Sequence, residues 1–179
     1  MTITAEQQAQ LLRPLNKSRV AVLDGNSHLA AWDVRAHLIR VFGFGQWSAD
    51  LIDLHMLYDQ ETQTRAGKEA RKIAYRATVR LLIHATGATY TEAAVGESIM
   101  PTFKHGDAHD MAIKTAESQA FKRCAINLGT QFGLSLYDAG TLNDVVKGVL
   151  GANSPVQEPD RPVTPDDPEV LWGSAGGQP

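Results

Sequence analysis

The chain has 179 residues, with 17 Lys and Arg against 20 Asp and Glu and a formal charge of −3. No apolar run reaches the ~18–20 residues of a membrane span, and the first residues lack a basic-then-apolar leader. One cysteine, Cys124, excludes an intramolecular disulfide and a Cys-rich zinc module and suits a reducing cytoplasm.

In chain order, residues 5–15 read as a helix that Pro14 ends. Arg19–Leu23 is a short β-prone run, closed by the turn signal Asp24-Gly25-Asn26. A second helix is predicted from about Leu29 to Phe42, with Trp32, Ala36, Ile39 and Val41 on its inner stripe and Gly43 and Gly45 as its stop. The run SADLIDLHMLYD after Trp47 is a first long strand, and 60–70 a polar connector. The next strand, RKIAYRATVRLLIH, alternates: Ile73, Tyr75, Ala77, Val79, Leu81 and Ile83 share one face, while Lys72, Arg76 and Arg80 stand on the other. His84–Ala88 is a turn and Thr89–Ser98 a third antiparallel strand, so the three strands form a meander. The longest helical pattern spans Asp107–Phe132, with Ala112, Ala116, Ala120, Cys124 or Ala125, and Leu128 as a narrow apolar line. Lys114, Ser118 and Lys122 lie on its opposite side with Arg123 beside them. A last helix over Thr141–Leu150 is predicted from its Thr cap. The order implies an α+β fold: an antiparallel three-stranded meander packed on a long helix, with helices at the N-terminus.

Residues 151–179 hold most of the prolines, keep no helical or strand period, and carry five carboxylates against Arg161. They are predicted to be a disordered acidic tail. Residues 1–150, the expected folded domain, then hold 16 basic and 15 acidic groups. The negative total therefore says little about the folded part. Its cations bunch between Arg65 and Arg80, where Glu69 is the one acid. Lys72, Arg76 and Arg80 would stand about 13 Å apart on a strand, so every second phosphate of a single strand would be in reach. A solvated sheet face is the plainer reading of the same pattern.

P-loop, dinucleotide and nucleophile-elbow signatures are absent. His105, Asp107, His109 and Asp110 form the one cluster with metal-ligand types, and His105 and His109 have the i, i+4 spacing that suits one ion. Asp107 reads better as a helix cap, leaving His105 outside the helix. Phe42, Phe44 and Trp47 offer stacking surfaces, though burial between helix and sheet is the simpler account.

The segment Phe42-Gly43-Phe44-Gly45-Gln46-Trp47-Ser48, three strands, and then Phe121-Lys122-Arg123-Cys124-Ala125 about 75 residues on resemble the Rad fifty-two family of single-strand annealing proteins. The resemblance covers about residues 10–138 and is greatest to the annealing domain alone, as in short phage and prophage versions. It implies a curved hairpin sheet assembled side by side into a homo-oligomeric ring or filament, with single-stranded DNA in an outer groove and no ATP, metal or other cofactor. Residue by residue, it implies that Lys122 and Arg123 line the groove floor, that Arg19 is a further basic contact, that Lys114 lies one face along the helix, and that Lys104 is near an outer basic site. Two positions depart from the family pattern: Ile126 stands where a further Arg is common, and Ala94-Val95-Gly96 replaces a glycine-x-glycine.

Together these readings lead to a non-enzymatic recombination and repair protein of the bacterial cytoplasm that anneals complementary strands, with DNA held by Lys122, Arg123, Arg19, Lys72, Arg76, Arg80, Lys114 and Lys104. No catalytic or metal residue is expected. The tail would dock a phage exonuclease or a host single-strand-binding protein. The rivals are a metal-dependent nuclease using His105, Asp107 and His109, and an interaction module whose basic strand is merely solvated.

Overall fold

The computed structural model describes residues 2–23 and 25–149. Among them run α1 (Ala5–Leu11), a hairpin of β1 (Val20–Leu23) and β2 (Asn26–Leu29), α2 (Ala31–Phe42), β3 (Trp47–Gln63), β4 (Glu69–Ile83), β5 (Ala88–Pro101) and α3 (His105–Ile126). The three long strands make one antiparallel sheet in the order β3-β4-β5. That is the expected meander on a long helix. The predicted tail, 151–179, lies outside the described residues.

β4 is the centre of the sheet, and its alternation is realised. Ile73, Ala77, Val79, Leu81 and Ile83 are buried on the face that α3 covers, while Arg76 and Arg80 are exposed on the other. β3 departs from regular pairing twice, between Leu51 and Asp53 and between Met56 and Tyr58. Each irregularity inserts an extra residue, which bends the strand and increases its twist.

α3 lies on β4 and β5 through Ala108, Ala112, Ala116, Ala120, Cys124 and Ala125, all fully buried. Side chains this small bring backbone against backbone. The approach is closest at Gly96 of β5, where a Cβ would overlap the Ala112 carbonyl and the Ala116 amide and stand 2.9 Å from the Ala116 Cα. Glycine is required there by space. Phe121 and Phe132 fill the larger gap toward α2, with Trp47 tilted against Phe121 at 6.2 Å between ring centroids.

Several sequence expectations shift. α1 ends at Leu11, before Pro14, and starts in a Thr4–Gln7 capping box. Residues 17–19 form a 3₁₀ turn, so the first strand starts at Val20, and β2 pairs with it where the sequence suggested only a turn. α2 turns a different stripe inward: Val34, Leu38 and Val41 are buried with Asp33 and His37, whereas Trp32 is 73% exposed. Trp32, Ala36 and Ile39 are displaced because the docking angle is set by the buried Asp33 and the core contacts of α3. Of the three aromatics after α2, Phe42 is buried, Trp47 half-buried, and Phe44 fully in solvent. Gly43 ends α2 with φ +100°.

α3 begins at His105 rather than at Asp107, because a 3₁₀ turn over Thr102–Lys104 feeds directly into it. Asp107 is a first-turn carboxylate, not the cap. The helix stops at Ile126, where Gly129 at φ +105° turns the chain into 3₁₀ turns. Residues 141–149 are not helical. The Leu15 amide donates to the Leu142 carbonyl at 2.8 Å and the Val145 amide to the Thr130 hydroxyl at 3.3 Å, which ties residues 142–145 to the rest of the domain.

His37 is 3% exposed, packs its ring edge-on to Phe132 at 5.1 Å, and has no hydrogen-bond partner at either nitrogen. Burial, aided by the charges of Arg19 and Arg40, pushes its pKa down to about 4.

Gly96→Ala should destabilise the domain by at least 2–3 kcal/mol, because the obstructing atoms are backbone; urea unfolding checks it, and an unchanged midpoint would mean that α3 can lift away freely. The unfolded chain protonates His37 near pH 6.5 while the folded chain resists until about pH 4. Stability should thus fall by about 1–3 kcal/mol as pH drops through that window. Urea titrations at successive pH values should show that slope reduced in His37→Met.

Candidate nucleic-acid interface

The cations gathered by the sequence separate in space. Lys72, Arg76 and Arg80 alternate with the buried residues of β4, so they stand on the sheet face that α3 does not cover. Lys122 and Arg123 are in the last turns of α3, on the helix side. The sheet lies between the two groups.

The strand cations are also matched by carboxylates from the neighbouring strands. The Lys72 ammonium is 3.0 Å from Glu97 of β5, the Arg76 guanidinium 3.4 Å from Asp53 of β3, and that of Arg80 3.0 Å from Asp50 of β3. These carboxylates are far from Lys72, Arg76 and Arg80 in sequence, and pairing of the strands brings them alongside. Glu97 also accepts from the Tyr58 hydroxyl, and these two bonds hold its carboxyl below the ordinary range. The expected row of bare positive charge is an exposed lattice of ion pairs, each weak on its own.

Arg19 is likewise committed. Its Nε and Nη2 donate to both oxygens of Asp33 at 2.8–3.1 Å, and Nη1 donates to Gln131 at 3.0 Å. Gln131 in turn donates to the Arg13 and Pro14 carbonyls. The Arg19 and Asp33 side chains are only 11% and 12% exposed. Arg19 thus ties the start of β1 to α2 and to the turn after α3. Lys114 pairs with Asp110 one turn earlier at 2.6 Å. Lys104 is exposed where α3 starts, about 27 Å along the helix from Lys122 at 1.5 Å per residue.

Lys122 and Arg123 face an open cleft of about 260 Å³. Its other walls are Ser27, His28 and Leu29 of β2, Gln119 and Ile126 of α3, and Gly133, Leu136 and Tyr137 from the turns that follow. Arg123 has a long contact with Glu92 at 3.5 Å. Lys122 has no carboxylate partner among the described residues. It is half-buried, and desolvation lowers its pKa from the ordinary lysine value. A desolvated ammonium without a counter-charge is poised to take an anion. Tyr137, 71% exposed, puts an aromatic face on the same cleft. Ile126, where the family pattern often has an arginine, contributes apolar wall instead.

His28 and Tyr137 escape sequence reading because each enters the cleft from an element with no basic or aromatic pattern of its own. The turn signal hints at β2, but only its pairing with β1 carries His28 to the end of α3.

Over residues 4–149 the chain matches the Rad52/22 family double-strand break repair protein, and it belongs to that family. It is 26% identical over 121 residues to the DNA repair and recombination protein Rti1 of Schizosaccharomyces pombe, an alignment covering 68% of this chain and 31% of that protein. The chain therefore spans about a third of the length of this relative. The family is one of double-strand break repair proteins, and the match takes in both the cleft and the Lys-Arg pair.

Removing the Arg19 side chain should leave Asp33 buried without its counter-charge and cost about 3–5 kcal/mol. The urea midpoint of Arg19→Ala measures it. The double replacement Arg19→Met with Asp33→Leu should recover most of the loss, whereas a DNA-contact role alone would leave the midpoint of Arg19→Ala unchanged.

Proposed function

We propose that this chain is an annealing protein of the phage or prophage type that binds single-stranded DNA and pairs complementary strands without ATP. The observation that carries the reading is the desolvated Lys122, without a carboxylate partner among the described residues, beside Arg123 in an open cleft with an aromatic wall. Phosphates entering the cleft would release counterions, giving affinity that is blind to sequence and sensitive to salt. Contacts limited to the backbone and to base faces leave the pairing edges free for an incoming strand. No bond is made or broken, so the protein acts as a scaffold rather than an enzyme, in the cytoplasm of a bacterial host.

Assembly into a homo-oligomer fits the sheet's edges. β3 and β5 each have a single strand neighbour among the described residues, and β3 exposes Leu51, Ile52, Leu54, Met56 and Leu57. A second copy adding its β5 edge to this β3 edge would cover that apolar surface. A head-to-tail contact of this kind generates a ring or a filament. Repeating a weak cleft along one strand then raises overall affinity without new contacts.

Annealing of labelled complementary oligonucleotides without nucleotide, from about 50 to 200 mM salt, tests the reading. Lys122→Ala with Arg123→Ala should lower single-strand affinity at least tenfold and reduce the salt slope by about 1.4, near 0.7 for each phosphate no longer neutralised. Arg76→Ala with Arg80→Ala should change affinity roughly threefold or less, since the ion pairs with Asp53 and Asp50 already use those charges. Unchanged binding in the Lys122 and Arg123 variant would remove DNA from the cleft. A larger effect at Arg76 and Arg80 would move it to the bare sheet face.

A further inference from the structure

At the far end of α3 the chain gathers a second constellation, separate from the cleft. His105 and His109 project from the first two turns of the helix and meet Asp59 of β3. The His105 Nε2 is 2.9 Å from Asp59 Oδ2 and 3.1 Å from the His109 Nε2, which is itself 3.8 Å from the same carboxylate oxygen. Asp59 and His109 are each oriented through a remaining polar atom. The Arg71 Nε donates to Asp59 Oδ1 at 2.8 Å, leaving Oδ2 for the histidines, and the Tyr75 hydroxyl lies 2.9 Å from His109 Nδ1.

The tautomer in which Nδ1–H of His109 donates to the Tyr75 hydroxyl turns the Nε2 lone pair into the cluster. One carboxylate oxygen and two imidazole nitrogens then meet, and neutral rings supply at most one proton among them. A cation at the centre would satisfy all three lone pairs. The three separations bracket the ~3.3 Å edge of a tetrahedron whose ligands stand ~2.0–2.1 Å from a zinc ion. Orientation of ligating groups by an arginine and a tyrosine is the outer support that such sites use.

We propose that Asp59, His105 and His109 form a binding site for a zinc-class transition-metal ion. Two nitrogens and one oxygen suit Zn²⁺ or Co²⁺ and not Mg²⁺ or Ca²⁺, which take oxygen ligands. His105 is 45% exposed on its side chain, so the fourth position faces solvent and is open to water. Asp107, the carboxylate adjacent in sequence, is not a member of the cluster. The ion would clip an edge strand to the start of α3 across 46 residues of chain, at the end of the helix opposite Lys122.

The test uses the full chain and Co²⁺ as the probe, followed by its visible ligand-field absorption, with Zn²⁺ in competition. Saturable 1:1 binding at micromolar Co²⁺, displaced by Zn²⁺, is expected, together with a rise of several degrees in Tm on adding Zn²⁺. His105→Asn and His109→Asn should each weaken binding at least a hundredfold and abolish the Tm rise. Tyr75→Phe should weaken it about tenfold, as loss of outer support does. Asp107→Asn should bind as the parent does. Far-UV circular dichroism confirms folding, and His105→Asn is the decisive variant because His105 is exposed. Absence of saturable binding would overturn the site. So would binding retained in the combined His105→Asn and His109→Asn variant, which would put the ion elsewhere. Loss with Asp107→Asn but not with Asp59→Asn would overturn the ligand set.

Discussion

Everything in this domain hangs on the close approach of α3 to β5 and β4. A stripe of alanines removes the side-chain layer that normally separates a helix from a sheet, and Gly96 lets the backbones meet. Such a contact has little tolerance. It fixes the height and rotation of α3, and through a 22-residue helix that fixes the positions of groups at both ends. The Lys-Arg pair reaches the β1–β2 hairpin and the following turns at one end. The two histidines reach β3 at the other. Neither constellation would survive a helix that sat one side chain further from the sheet.

Charge pairing is the second organising constraint. Most of the cations that the sequence brings forward find a carboxylate on a neighbouring element or turn: Lys72 with Glu97, Arg76 with Asp53, Arg80 with Asp50, Arg19 with Asp33, Lys114 with Asp110 and, at 3.5 Å, Arg123 with Glu92. These partners neutralise the sheet face and leave the positive potential where pairing is weakest. Lys122 is the clearest case, since its desolvation is offset by no anion among the described residues. The electrostatic focus for a polyanion is therefore narrower than a count of basic residues suggests.

The β3 edge connects these features to assembly. Its exposed leucines, isoleucine and methionine are poorly suited to isolation in water, and the two register irregularities curve the strand along which they lie. The same strand carries Asp59, so any neighbour docked on the edge would sit close to the histidine cluster as well.

How much was legible in the sequence follows from the range of the interactions involved. Period-two alternation marked β4, and i, i+4 alanines marked α3, because backbone geometry alone imposes those periods. The meander followed from short turns, and Lys122 with Arg123 were identified through a contiguous motif. Other features required partners distant in the chain. The inner stripe of α2 was misplaced because Trp32 is apolar by type yet exposed by the docking angle, while Asp33 is polar yet buried under Arg19. The start of α3 was misplaced because a 3₁₀ turn made a cap at Asp107 unnecessary. Spacing correctly grouped His105 with His109 but suggested the wrong carboxylate, since Asp59 reaches them only when β3 and α3 pack. Sequence by itself determined the three long strands, their order, the long helix and its cationic end, all set by local periodicity and short connections, while β2 and the non-helical segment after Thr141 were not legible in it. Tertiary structure alone decided which cations stay unpaired and which residues converge, because counter-charges, desolvation and ligand geometry arise between segments that meet only in the fold.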